Sequence, residues 1–141
     1  MKSNLTTELR KIADGNNGIL MPEAVIHAAR PKDSPLHSQF EWNNSKAAHA
    51  HRLWQARHLI RVCVEMLPKV NVPTEVFVSL RSDRENGGYR VQAEVLSDKD
   101  MRQELLSDAL AELRMFSAKY QRLKELASVF RAISGVLKKA G

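Results

Sequence analysis

Four of the chain's five histidines, both tryptophans, its single cysteine and three arginines lie between Ser34 and Val64. Such residues ligate metals, shuttle protons, attack electrophiles or grip phosphates, and their spacing decides which. A helical zinc pair needs histidines four apart on one face. His49 and His51 are two apart, so on a helix they point about 200° away from each other. His51 and His58 are two turns apart, too far for one ion. No metal centre is expected. Cys63 falls in an alternating stretch with no His or Asp held near it by sequence, so it reads as a small buried apolar group. There is no Gly-rich phosphate loop, no nucleophile elbow and no paired carboxylate arrangement. The expected protein is not an enzyme and uses no cofactor.

Charge points elsewhere. The whole chain carries +6. From Arg114 to Gly141 there are seven basic residues and one acid, Glu125, so this tail holds the entire excess. A localised basic stripe suits a polyanion. Cations complementing a helix C-terminus would produce the same pattern. The length suits one domain, residues 1–141, read in three parts: 1–44, 45–96 and 97–141. A single cysteine, no apolar leader in "MKSNLTTELRK" and no run of about 18 apolar residues predict a soluble, cytoplasmic protein that does not enter membranes.

The elements that must position these residues follow from periodicity. Leu5, Leu9 and Ile12 form one helical stripe, stopped by "GNNG". "ILMPEAVIHAARP" predicts a second short helix, with Pro22 in its first turn and Pro31 closing it. "LHSQFEW" suits one further helical turn. Asn43, Asn44 and Ser45 are cap residues for a central helix. On it Ala47, Ala50, Leu53, Trp54, Ala56 and Ile60 share one arc, with His51, Arg52, Gln55 and His58 opposite. Arg57 falls inside the apolar arc, which predicts a covered stem and a partner for its guanidinium, with Glu41 the first candidate. Phe40, Trp42 and Trp54 are large enough to anchor a small core. From Ile60 the period changes to two: "IRVCVEM", "TEVFVSLR" and "GYRVQAEVL" predict a three-stranded antiparallel meander with one wet face. A long helical segment follows. Its seam includes Leu113, Phe116, Tyr120, Leu123 and Phe130, at alternating spacings of three and four. As one helix it would run about 55 Å, so it must bend near Gly135, break near Ser117 or Ser128, or be covered by a second subunit. The fold class is α+β: N-terminal helices, the meander and a long C-terminal helical segment.

The order of helix, apolar bridge, helix, helical turn and meander resembles that of a winged helix, with the central helix as an addition. A more local resemblance lies in "SPLH" (Ser34–His37), "FEW" (Phe40–Trp42), "AA" (Ala47 and Ala48) and "RLWQARHLIR" (Arg52–Arg61). These segments resemble small uncharacterised proteins of tailed bacteriophages and prophages, and the likeness extends into "VLSD" and the final helix. It implies a phage or prophage origin and hence the host cytoplasm. It transfers no binding or catalytic residues.

Together these readings predict a non-enzymatic DNA-binding protein, a homo-oligomer, with Arg52, Gln55, Arg122, Lys138 and Lys139 as contacts. The alternative is a protein-interaction module, an adaptor, virion component or modulator of a host protein, using the C-terminal seam as its interface. Phe40, Glu41, Trp42, Trp54 and Arg57 are expected to be structural.

Overall fold

The Leu5–Leu9–Ile12 stripe forms the inner face of the first helix, α1 (Lys2–Asp14), with Leu9 and Ala13 fully buried. The computed structural model describes residues 2–43 and 46–140. Beyond α1 the backbone turns through Asn17 and Gly18, at φ 55° and 82°, and the Gly18 N–H donates to Ala13 O at 2.8 Å. Gly tolerates this left-handed region at no steric cost, which is why the helix can end so sharply. Leu20 then bridges antiparallel to Tyr89 by a reciprocal pair of backbone hydrogen bonds of 2.6 and 2.9 Å.

Helix α2 (Pro22–Ala29) begins on Pro22, whose missing N–H costs nothing at a first helical position. It buries Val25, Ile26 and Ala29. One helical turn, His37–Gln39, follows. The central helix α3 spans Lys46–Val62. The cap expected at Asn44 and Ser45 lies outside the described residues. Leu9, Leu20, Val25, Leu36, Ile60 and Val76 form the centre of the core, each at most 1% exposed. Full burial of one such side chain is worth about 1.5–3 kcal/mol.

The fold is α+β, but the strands are shorter than their alternation suggests. Strands β1 (Val64–Met66) and β2 (Pro73–Glu75) make one two-stranded antiparallel ribbon, in register Glu65 to Thr74. Strands β3 (Phe77–Val78) and β4 (Arg90–Val91) make another, in register Phe77 to Val91. The expected three-stranded meander is thus two separate ribbons. Ile60 to Val62 belong to α3, so the first strand starts only at Val64. That reverses its facing: Cys63 is buried and Glu65 half-buried, while Val64 and Met66 are exposed. Cys63 Sγ donates to Leu59 O at 3.3 Å, and Glu65 accepts from Arg10 Nη2 at 3.2 Å. The third expected strand ends at Val91, and Gln92–Ser97 coil into α5, with Val95 buried. Ala, Glu and Leu favour that choice once the Gln92 N–H is taken by Val76 O at 2.8 Å.

Between β3 and β4 the four-residue helix α4 (Arg81–Arg84) carries Asp83. Asp83 receives a two-pronged grip from Arg90: Nε to Oδ2 at 2.7 Å and Nη2 to Oδ1 at 3.1 Å. Both side chains are largely covered, so the pair is screened little by solvent. The return passes through Gly88, where a Cβ would come within 2.9 Å of Ile19 Cγ2.

The chain divides into two compact units, Met1–Asp98 and Lys99–Gly141, where the sequence suggested one domain. The second unit contains α6 (Lys99–Tyr120) and α7 (Ala127–Ala140). The break between them falls at 121–126, between the two expected serines. Leu123 adopts an extended backbone there, and a short turn at Lys124–Leu126 starts the next helix. Gly135 sits inside α7, which continues to Ala140. Phe116 meets Phe130 at 6.1 Å and Tyr120 at 5.1 Å between ring centroids, so the seam is used across the break. Its burial within one chain is incomplete, however: Phe116 is 38% and Leu123 46% exposed.

Breaking the Arg90–Asp83 pair tests how much the second ribbon depends on it. Arg90→Ala leaves a largely buried carboxylate without its fork and is expected to cost about 2–4 kcal/mol in urea unfolding. Arg90→Lys is expected to recover only part of this, because the planar fork is lost.

Candidate nucleic-acid interface

Helix α3 holds 17 residues and not one acid. Which of its cations reach solvent depends on how it is rotated, and that is set at its start. Arg52 is only 6% exposed. Its Nη1 donates to Glu41 O at 3.2 Å and Asn43 O at 3.0 Å. Its guanidinium carbon lies 5.6 Å from the centre of the Trp42 ring, and that of Arg30 lies at 5.5 Å. Gln55 Oε1 accepts the Glu41 backbone N–H at 3.1 Å.

Trp42 is the hub of this arrangement. Its Nε1–H donates to His37 O at 2.8 Å, and the His37 ring stacks on it at 4.9 Å with planes 10° apart. His37 Nδ1 lies 2.9 Å from Ala29 O. A carbonyl only accepts, so Nδ1 carries the hydrogen and the tautomer is fixed. Phe40 thus lies in the core and Trp42 against it.

Three expectations are corrected here. Arg52 and Gln55, expected as DNA contacts, are committed to the 41–43 backbone. Arg57, expected to be covered and paired with Glu41, is exposed and has no hydrogen bond or ion pair among the described residues. Glu41 takes part through its backbone N–H and C=O, and its side chain bonds to neither arginine among the described residues. Trp54, expected in the core, is 54% exposed. All have one cause. The buried face runs through Ala48, Arg52, Ala56, Leu59 and Ile60, rotated by about 100°, one residue, from the arc inferred from apolar positions.

The outward face is consequently Trp54, Arg57, His58, Arg61 and His51, all exposed. His51 and Trp54 stack at 5.9 Å with planes 9° apart, and Trp54 and His58 at 5.2 Å with planes 6° apart. The two imidazoles come from the turns before and after the indole, so the three rings form a parallel rib along the helix. Arg57 and Arg61 lie beside it, one turn apart. Trp54, His58, Gln55 and Gln39 line a shallow cleft at the edge of this face. The stripe His51, Trp54, His58, Arg61 has helical spacings of three, four and three, and together with the absence of acids in α3 this was the available signal for Arg57, His58 and Arg61.

His49 is turned differently and meets Glu23 at 3.1 Å. The other expected contacts, Arg122, Lys138 and Lys139, are exposed cations in the second unit. Among the described residues no group of three or more His, Cys, Asp or Glu is placed to hold a metal ion. No helix among them is long and apolar enough to cross a membrane. The chain matches no protein-family model, no curated protein and no solved structure.

The rotation of α3 is testable by comparing two arginines on one helix. Arg52→Ala is expected to lose about 2–3 kcal/mol of stability, since two charge-assisted hydrogen bonds to carbonyls disappear. Arg57→Ala is expected to stay within about 0.5 kcal/mol, as for an exposed substitution. Equal losses from the two in urea unfolding would place the helix in the wrong rotation.

Proposed function

We propose that this is a non-enzymatic DNA-binding protein of phage or prophage type, presenting the outward face of α3 to a duplex. The observation that carries the reading is that face itself: Arg57 and Arg61 exposed beside an aromatic rib, on a helix with no acid. Two guanidiniums one turn apart suit phosphate oxygens or the acceptor edge of guanine. The indole offers its edge, because imidazoles stack along its faces. Single-strand binding by base stacking needs a free ring face, so a duplex groove is the better match.

The element order supports the same reading. Helix α1, the Leu20 bridge, α2, α3 and the β1–β2 ribbon follow one another in an order like that of a winged helix, although the bridge pairs with Tyr89 and not with the ribbon; on this reading α3, an addition in the sequence pattern, is the groove-reading helix. The departure is the long connection of residues 30–45 between α2 and α3, which the Trp42 hub holds down. Lys69, at φ 68° in the ribbon's turn, sits where a wing would meet the backbone. Arg122, Lys138 and Lys139 add phosphate contacts in this proposal.

A second reading, a protein-interaction module, is favoured by the β1–β2 ribbon. Val64 and Met66 face outward, and β1 has no second strand neighbour among the described residues. An open edge of this kind accepts an added strand.

Anisotropy titrations with a labelled duplex and its single strand, from about 50 to about 200 mM salt, separate these readings. Duplex binding that weakens steeply with salt is expected. Arg57→Gln with Arg61→Gln should flatten the log–log slope by about two, and Trp54→Ala should weaken binding with the slope kept. Absence of binding at low salt, or a slope unmoved by the double substitution, contradicts the proposal.

A further inference from the structure

Two features of the first unit meet at β1. One is an open edge. The Val76 N–H donates to Cys63 O at 3.1 Å. Backbone groups alternate in direction along a strand, so Cys63 and Glu65 turn theirs toward β2 while Val64 and Met66 turn theirs away. Met66 stands opposite Pro73, which has no N–H to offer it. The outward N–H and C=O groups of Val64 and Met66 therefore lie along an edge with no second strand among the described residues.

The other feature is an apolar pocket of about 150 Å³. Its floor is Leu59 and Cys63, 6% and 7% exposed, and its walls include Leu5 of α1, Val62 and Val64. Neighbouring side chains of an extended chain point to opposite faces, so a pocket touching both Cys63 and Val64 lies beside the strand. No residue of β2 lines it, which puts it on the side of the open edge.

Hydrogen bonding indicates the occupant. A small apolar molecule would fill the pocket and leave the edge unmet. A helix spends its own main-chain groups internally and has none for the edge. A second copy offers a strand of three residues, and full antiparallel overlap would set Glu65 against Glu65, a repulsive cross-strand pair. An extended peptide meets both features. Its backbone pairs with Val64 and Met66, and its side chains alternate, so one of them can enter the pocket. An apolar cavity of this volume holds a benzene ring, which is room for one Leu, Ile or Phe side chain.

We propose that the edge of β1 and the pocket beside it bind an extended peptide of a partner protein, anchored by one bulky apolar residue. This rests on the interaction-module reading and stands independently of the DNA reading.

The test is selection of displayed random peptides of about eight residues, long enough to cover the strand, against the full chain. Selected peptides are expected to share one bulky apolar position. The best of them, synthesised and labelled, is expected to shift the Val64 and Met66 amide signals. It should lose at least about tenfold in affinity when its apolar residue becomes Ala, and as much against Val62→Trp, which fills the pocket from its exposed rim. Met66→Pro removes an outward N–H and no bond to β2, and should cost about fivefold. Circular dichroism checks the fold of both variants, and the peptide's own Ala substitution decides the matter if either unfolds. A selection that yields no binding peptide overturns this proposal together with the added-strand reading of β1. Peptides that shift the two amides yet tolerate Ala at every position overturn the pocket anchor and leave that reading standing. Amide shifts that follow the chain's own concentration show self-pairing and overturn the proposal as well.

Discussion

Everything proposed for α3 depends on one buried guanidinium that bonds to no carboxylate among the described residues. Removing an arginine from water costs several kcal/mol, and usually a carboxylate offsets that cost. Arg52 relies on two backbone carbonyls and the face of Trp42, and its Nε–H has no acceptor among the described residues. Charge-assisted bonds to carbonyls and a desolvated cation–π contact, about 1–2 kcal/mol, are what make this tolerable. The geometry has a second effect. With Arg52 turned inward, the residues on the opposite side of the helix must be Trp54, Arg57 and Arg61. Burying one cation thereby decides which others are presented.

The dense stretch at Ser34–Val64 divides accordingly between two tasks. His37, Phe40, Trp42, Arg52 and Gln55 build a hub that pins the connection onto the helix start. His51, Trp54, Arg57, His58 and Arg61 face away from it. Residues of the same types serve both, so composition alone cannot separate them. The hub is rigid by construction: stacked rings, a fixed imidazole tautomer and a covered cation leave little rotamer freedom. A rigid scaffold under an exposed basic-aromatic face is what a reading surface requires.

Much of the first unit was legible in sequence where punctuation was strong. Pro22, "GNNG" and the Leu5–Leu9–Ile12 stripe each have one low-cost solution, and α1 and α2 follow them. The phase of α3 was not legible, because six of its residues are alanine or leucine and they fall on several sides of the helix, so the apolar pattern alone picks no single face. With such a weak moment, Arg52 and Trp54 decided the rotation, and size and charge argued for the wrong one. The strand phase failed for a related reason. Alternation shows that two faces differ but not where a preceding helix ends, and α3 runs to Val62, one residue before Cys63 turns inward. At Gln92 a local helix preference overrode an alternating pattern. The C-terminal seam was legible as a pattern, but which of its residues one chain covers depended on the break at 121–126.

The two tryptophans provide a direct test of the central claim, that Arg52 turns one face of α3 inward and the other toward DNA. Their indole N–H groups give separate signals in a nitrogen-proton correlation spectrum, assignable by Trp54→Phe. On titration with a duplex, the account predicts that the Trp54 signal shifts or broadens while that of Trp42, held to His37 O at 2.8 Å, stays in place. Binding to saturation with Trp54 unmoved and Trp42 shifted would contradict it.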